Sequence, residues 1–114
     1  MTTRDRILRV DLATRTAESE QVPDAWRRKF VGGKGLGARY LYGELPPGAD
    51  ALGPEKVLFF GLGPVSGLLP GENRFAAITK SPLTGTFLDS YAGGSFPPRL
   101  AGALDDHLGL LVEG

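Results

Sequence analysis

A chain of 114 residues, 41% hydrophobic and 23% charged, has the size and balance of one globular domain. Thirteen basic and thirteen acidic residues cancel, so no global field favours nucleic acid or an anionic membrane, and no apolar stretch approaches the roughly 20 residues that span a bilayer. The absence of cysteine excludes disulfides, thiolate metal sites and cysteine-ligated iron–sulfur clusters within these residues. The charged segment Met1–Arg9 is followed by no apolar signal core, and a cytoplasmic protein is expected.

In chain order, Ile7–Leu12 alternates Leu8, Val10 and Leu12 against Arg9 and Asp11, the pattern of a half-buried strand. Ala13–Thr16 reads as the turn into a more polar strand over Ala17–Val22. Pro23-Asp24 opens a short helix through Phe30, with Asp24 expected to cap the free N–H groups and Gly32-Gly33 to end it. A second helix is predicted from about Leu36 to Glu44, with Leu36, Tyr40 and Leu41 on one face and Pro46-Pro47 as its stop.

The second half is strand-rich. Val57–Phe60 is a continuous apolar run, read as a strand buried on both faces, and Gly61–Gly71 is a loop. Arg74–Thr79 alternates again and pairs with Thr86–Asp89 across Ser81-Pro82-Leu83-Thr84-Gly85, a hairpin. Pro97-Pro98 opens a helix through Leu104, and Leu108–Val112 forms a last apolar strand. The class is α+β with a strand majority. An apolar strand followed at once by Glu113-Gly114 predicts an exposed sheet edge, protected either by a bend or by more protein beyond Gly114.

Little in the chain resembles catalytic machinery. Gly32-Gly33-Lys34-Gly35-Leu36-Gly37 looks at first like a phosphate loop, but the spacing of Gly-x-x-x-x-Gly-Lys-Ser/Thr is missing and a helix precedes it. A helix–helix corner with left-handed glycines is the better account, with Lys34 and the helix-start N–H groups facing an anion as the alternative. Asp105-Asp106-His107 are adjacent residues in a turn, where side chains rarely converge on one metal, and His107 is the only histidine. Glu72 and Asp89 have no sequence-level partner for acid–base work. The stretch Arg74–Gly94 is different. Arg74 offers a planar fork of donors matched to phosphate oxygens or a heterocycle edge, and Gly93-Gly94 expose backbone N–H groups before a helix start. Two readings of it stand open: an anion cradle, or exposed strand ends beside a plain turn.

The chain resembles the N-terminal domain of the tungsten-dependent aldehyde ferredoxin oxidoreductase family over essentially its whole length. The likeness is carried by Arg9-Val10-Asp11-Leu12, Gly32-Gly33-Lys34-Gly35-Leu36 and Leu62-Gly63-Pro64-Val65-Ser66-Gly67. Ile78-Thr79-Lys80-Ser81-Pro82-Leu83-Thr84-Gly85, Gly93-Gly94 and Val112-Glu113-Gly114 complete it. The resemblance implies an enzyme that oxidises aldehydes to carboxylic acids, with water as oxygen source and ferredoxin as electron acceptor. Tungsten, or molybdenum in some relatives, is held by the dithiolenes of two pyranopterins (tungstopterin or molybdopterin), and a [4Fe–4S] cluster relays electrons. The family's N-terminal domain is the β-rich base under the pterins and continues beyond the stretch matched here with a second group of pterin contacts. The resemblance therefore makes residues 1–114 a partial, pterin-cradling domain; the cluster cysteines and catalytic acids come from later parts.

Residue by residue, the resemblance places Arg74 at the arginine that contacts a pterin and Gly93, beside Gly94, at a neighbouring glycine. Tyr91 falls where characterised members have asparagine, whose backbone carbonyl helps bind a Mg2+ bridging the pterin phosphates. Arg15 stands where the first turn usually has glycine, which predicts another turn type or strain. Pro97-Pro98 follow Ser95-Phe96 where Phe-Gly is expected. The implied partners are a C-terminal, cluster-bearing polypeptide of the same enzyme and, through it, ferredoxin, and the chain by itself is expected to be inactive. Two other classes remain open at this point: a non-catalytic interaction module that kept the fold, and a remnant made poorly soluble by its uncovered edge.

Overall fold

The computed structural model describes residues 4–68 and 74–114. Glu72 and the end of the loop through Gly71 lie outside the described residues. The elements are β1 (Arg6–Asp11), β2 (Thr16–Gln21), α1 (Asp24–Phe30), α2 (Gly33–Glu44), β3 (Leu58–Gly61), β4 (Phe75–Lys80), β5 (Phe87–Ala92), α3 (Phe96–Ala103) and β6 (His107–Glu113). The strands form one sheet in the order β2-β1-β6-β3-β4-β5. β1 and β6 run parallel and every other pair is antiparallel. The α+β class read from the sequence is therefore what folds: among the described residues, a mixed six-stranded sheet with three short helices.

The last strand is not at an edge. β6 lies between β1 and β3, so the exposed edge expected there is corrected. Leu108 and Leu111 of this strand are fully buried, while Leu110 and Val112 on its other face stay half-buried. The edges are instead the polar β2 and the hairpin strand β5. Val57 sits just before β3 rather than in it, and β5 runs on past Asp89 to Ala92.

One face of the sheet carries the core. Ile7, Phe59, Ile78 and Leu111 are each fully buried, together with Leu36, Tyr40 and Leu41 of α2 and with Trp26 and Phe30 of α1 against them. Trp26 meets Tyr40 edge-on at 5.1 Å, Tyr40 stacks with Phe59 at 5.8 Å, and the Arg39 guanidinium lies 4.2 Å from the Trp26 ring centre. Arg9 bridges this layer by reaching Glu20 on β2 at 2.9 Å, Glu44 at the end of α2 at 2.6 Å, and Glu113 on β6 at 3.2 Å. Burial works to lower its pKa, but the hydrogen bonds to Glu44 and Glu20 outweigh it and the pKa is raised. At the other end, the buried Arg4 donates to the carbonyls of Ser66, His107 and Ala101, at 3.0, 3.1 and 3.3 Å, and pins α3 and the loop after β3 to the sheet.

Two local expectations are corrected. No side chain caps α1: the Asp24 carboxylate turns instead to Arg27 at 2.7 Å and Arg28 at 2.9 Å, cations one turn further along the same helix. α2 starts at Gly33 rather than Leu36, so the glycine-rich corner forms its first turn. The strain foreseen at Arg15 is present, since this residue takes φ 57°, where glycine is the comfortable choice.

Tyr40 makes a testable statement about this core. Its hydroxyl is buried and has no hydrogen-bond partner among the described residues. Burial, and then the nearby Glu20 carboxylate, push its pKa up to about 12. Below pH 10 the tyrosine is neutral in both folded and unfolded chains and titrates in neither. Between pH 10 and about 12 only the unfolded chain ionises, so the stability present below pH 10 is lost as pH rises, by about 2–3 kcal/mol. We expect Tyr40→Phe to match the parent at pH 7, because no partnered hydroxyl is lost, and to lack this alkaline decline. Parallel stability–pH curves for the two proteins would contradict it.

Candidate functional site

At one end of the sheet, on the α2 side, four segments meet around an open cleft of about 380 Å3. They are the α1–α2 corner (Val31–Lys34), the end of β3 (Gly61–Gly63), the start of β4 (Arg74–Ala76) and Tyr91 on β5. The volume is at the small end of the ~300–1,000 Å3 range of ligand sites.

Glycine builds the cleft by removing side chains where backbones touch. A Cβ on Gly32 would lie 2.7 Å from the Leu62 carbonyl oxygen, and one on Gly61 would lie 3.0 Å from the Gly33 carbonyl oxygen. The Gly33 N–H donates to the Leu62 carbonyl at 3.0 Å, which fastens the first turn of α2 onto the end of β3. The corner itself is strained. Val31 has φ 67° and ψ −63°, and the Gly32 N–H donates to the Phe30 carbonyl at 2.7 Å, a three-residue γ-turn in its rare, positive-φ form. A β-branched residue in that conformation is a genuine outlier. The left-handed glycines expected at this corner are thus half correct. Gly33 takes φ 55°, but Val31 carries the turn while Gly32 is extended.

Arg74 and Tyr91 meet at this cleft because of strand register. Ala76 pairs with Tyr91 and Phe75 with Ala92, so one further step sets Gly93 opposite Arg74. Alternation from Ala76 places Arg74 on the α2 face. Arg74 is exposed and makes no ion pair among the described residues, while Lys34 is held by Asp89 at 3.1 Å. Among the described residues, two cations, Arg74 and Lys34, and one carboxylate, Asp89, stand at the cleft mouth. Tyr91 is half exposed. Gly93 and Gly94 are exposed beyond the end of β5 and do not line the cleft; Gly94 has φ 82° with open space around it.

Sequence reasoning set Gly32–Lys34 aside as a structural corner, yet these residues share the cleft with Arg74. The signal available was the conjunction of Lys34 with a helix start, the alternative kept open above. Conversely, Lys80–Gly85 leaves the site. Ser81 Oγ accepts from the Leu83 and Thr84 N–H groups at 3.2 Å each, and Gly85 at φ 71° closes the β4–β5 turn. That turn is at the far end of the hairpin, roughly 20 Å from Arg74 at ~3.3 Å per residue. Asp105–His107 gathers no metal site: His107 Nε2 lies 2.8 Å from Ser19 Oγ, and no group of metal-ligating residues occurs among the described residues.

The fold and cleft define a class: a single mixed-sheet α+β domain with an open, glycine-lined cleft at one end of its sheet, and no helix among the described residues long and apolar enough to cross a membrane. The description "Aldehyde ferredoxin oxidoreductase, N-terminal domain" matches residues 7–114. The chain belongs to the aldehyde ferredoxin oxidoreductase family, as its N-terminal domain. It is 37% identical over 110 residues to a tungsten-containing aldehyde ferredoxin oxidoreductase of Pyrococcus horikoshii, and 30% identical over 112 residues to an aliphatic sulfonate oxidoreductase WOR-like subunit of Pyrococcus furiosus. Each match covers 96% of this chain and 18% of the relative. Among solved structures, the active-site complex BamBC of benzoyl coenzyme A reductase with 1,5-dienoyl-CoA superimposes over the whole chain at a TM-score of 0.90, with 28% identity and 18% of that chain covered. The chain thus spans about a fifth of the length of the proteins it matches.

Proposed function

We propose that the chain is one half of the floor on which the tungsten– or molybdenum–pyranopterin of an aldehyde:ferredoxin oxidoreductase rests. The observation that carries this reading is the convergence of Arg74, Tyr91 and the first turn of α2 on one cleft, in a chain of this family. Arg74 donates its paired N–H groups to a phosphate or to the polar edge of a pterin. The positive end of the α2 dipole lies on the same side, while Lys34 there is paired with Asp89. Gly93 and Gly94 let a ring or phosphate approach the backbone beyond β5. Tyr91 would offer its backbone carbonyl to a Mg2+ if one accompanies the cofactor; it lies on the edge strand β5, whose alternate backbone groups face away from its one neighbour.

When bound, the cofactor supplies oxidation of an aldehyde to a carboxylic acid with water as oxygen source. These residues hold and orient it. The [4Fe–4S] cluster belongs to a C-terminal polypeptide of the same enzyme, through which ferredoxin receives electrons in the cytoplasm, because this chain has no cysteine to hold it. Purified alone, the chain is expected to give no aldehyde-dependent dye reduction under anaerobic assay, and to retain pterin only beside a cysteine-bearing partner. Aldehyde oxidation by the isolated chain would sink the reading.

A further inference from the structure

The two faces of the sheet differ in a way that solvent does not explain. On the α2 face, Ile7, Phe59, Ile78 and Leu111 are fully buried. Their neighbours in the same strands point the other way: Leu8 and Val10 on β1, Leu110 and Val112 on β6, Leu58 and Phe60 on β3, and Ala77 on β4. Register aligns them into one apolar field, with Leu8 beside Leu110, Val10 beside Val112, Val112 beside Leu58, and Leu110 beside Phe60. Each of them is only half-buried. Among the described residues no helix packs broadly on this face. α2 covers the other side, and α3 meets this one at its end, through Phe96 on Phe75 at 4.8 Å. An antiparallel sheet face that meets water alternates to polar residues; this one does not.

Resting on the reading above, that the chain is the N-terminal part of a longer enzyme, we propose that this second sheet face is the docking surface for the remainder of the enzyme's polypeptide, which presents an apolar face to it. Two observations favour that occupant over a second copy. The matched relatives carry about four-fifths of their length outside the region this chain covers. The field is also small: strands of about six residues at ~3.3 Å per residue, with four of them ~4.8 Å apart, make roughly 400 Å2. A freely associating pair needs about 800 Å2 per partner, whereas a segment of the same polypeptide is held at high effective concentration and needs far less. The pterin cleft lies on the opposite side of the sheet, so docking here leaves it open.

The lack of cysteine provides the test. Val10→Cys and Leu110→Cys each place one thiol on the face with little change in size, and Tyr42→Cys places one on exposed α2 as a control. Maleimide labelling is followed by mass in the 114-residue chain, and by peptide mass in a full-length chimera in which this chain replaces the matching segment of the Pyrococcus horikoshii relative. Positions 10 and 110 should label readily in the chain and at least about tenfold more slowly in the chimera, with position 42 unchanged. Equal rates in both contexts, protection already complete in the dilute chain, protection that grows with chain concentration as a second copy would cause, or a chimera that does not fold would each overturn the assignment. Pterin content of the chimera is read separately: protected thiols without pterin would defeat the cofactor reading and leave the docking face standing.

Discussion

Replacing Gly109 with alanine should cost about 3 kcal/mol and lower the melting temperature by about 10–20 °C. A Cβ at this position would lie 2.6 Å from the Phe60 carbonyl oxygen, 2.8 Å from Phe59 Cζ and 3.1 Å from Phe59 Cε1. The nearest obstacle is backbone of the paired strand, which cannot rotate aside. The next is a ring that is fully buried and stacked on Tyr40. Alanine is worth about 0.5–1 kcal/mol more than glycine in a strand interior, so the contact term decides the sign. Gly109 pairs with Gly61, whose own Cβ would meet Phe59 and the backbone of Gly33. The two glycines make the flat spot on which Phe59 and the start of α2 sit. Adding Phe59→Leu to Gly109→Ala should recover part of the loss by clearing the ring contact, but not the contact with the Phe60 carbonyl. Thermal unfolding by circular dichroism decides: a melting temperature within about 2 °C of the parent would contradict the tight approach.

That pair of glycines also shows where sequence reading stops. The element order was legible because each strand carries its own local signature: alternation in β1 and β4, a continuous apolar run in β3, and a Ser-Pro…Gly turn between β4 and β5. The neighbour relations were not. β6 looked like an exposed last strand because nothing local says that β1 lies parallel beside it, a long-range pairing without a turn residue to announce it. The Gly32–Gly33 corner was legible as a helix junction, but which residue would take the positive φ was not. Gly33 takes a positive φ of 55°, but Val31 takes one too, at 67°, and the corner is fastened by the hydrogen bond from the Gly33 N–H to the Leu62 carbonyl just beyond β3. At the site, register brought Arg74 and Tyr91 together from positions seventeen apart, and the seating of α2 beside the end of β3 added Lys34, which spacing alone had assigned to a corner. The most specific stretch of family likeness, Thr79–Gly85, is a hairpin turn remote from the cleft. Its resemblance therefore identifies the fold more than the site.

If the cleft holds the cofactor as proposed, Arg74→Ala should leave the chain folded and remove much of that hold. Arg74 is exposed, precedes β4, and has no ion-pair partner among the described residues, so its truncation should change stability by no more than about 0.5 kcal/mol. A charge-assisted hydrogen bond is worth about 1.5–3 kcal/mol, which converts to roughly a ten- to hundredfold loss of pterin affinity in the assembled enzyme. Arg74→Lys should recover the charge but not the paired geometry and fall between the two, because an ammonium is a point donor where a guanidinium is a planar fork. The remaining cation, Lys34, cannot compensate while Asp89 holds it at 3.1 Å. The readouts are tungsten and pterin content per assembled enzyme and the fluorescence of the oxidised pterin, set against a melting curve of the same variant. Loss of cofactor with an unchanged melt is the expected result. Full retention of pterin by Arg74→Ala would remove the cleft from the cofactor site and favour the alternative, a domain that keeps this fold to bind its partner polypeptide and takes no part in holding the pterin.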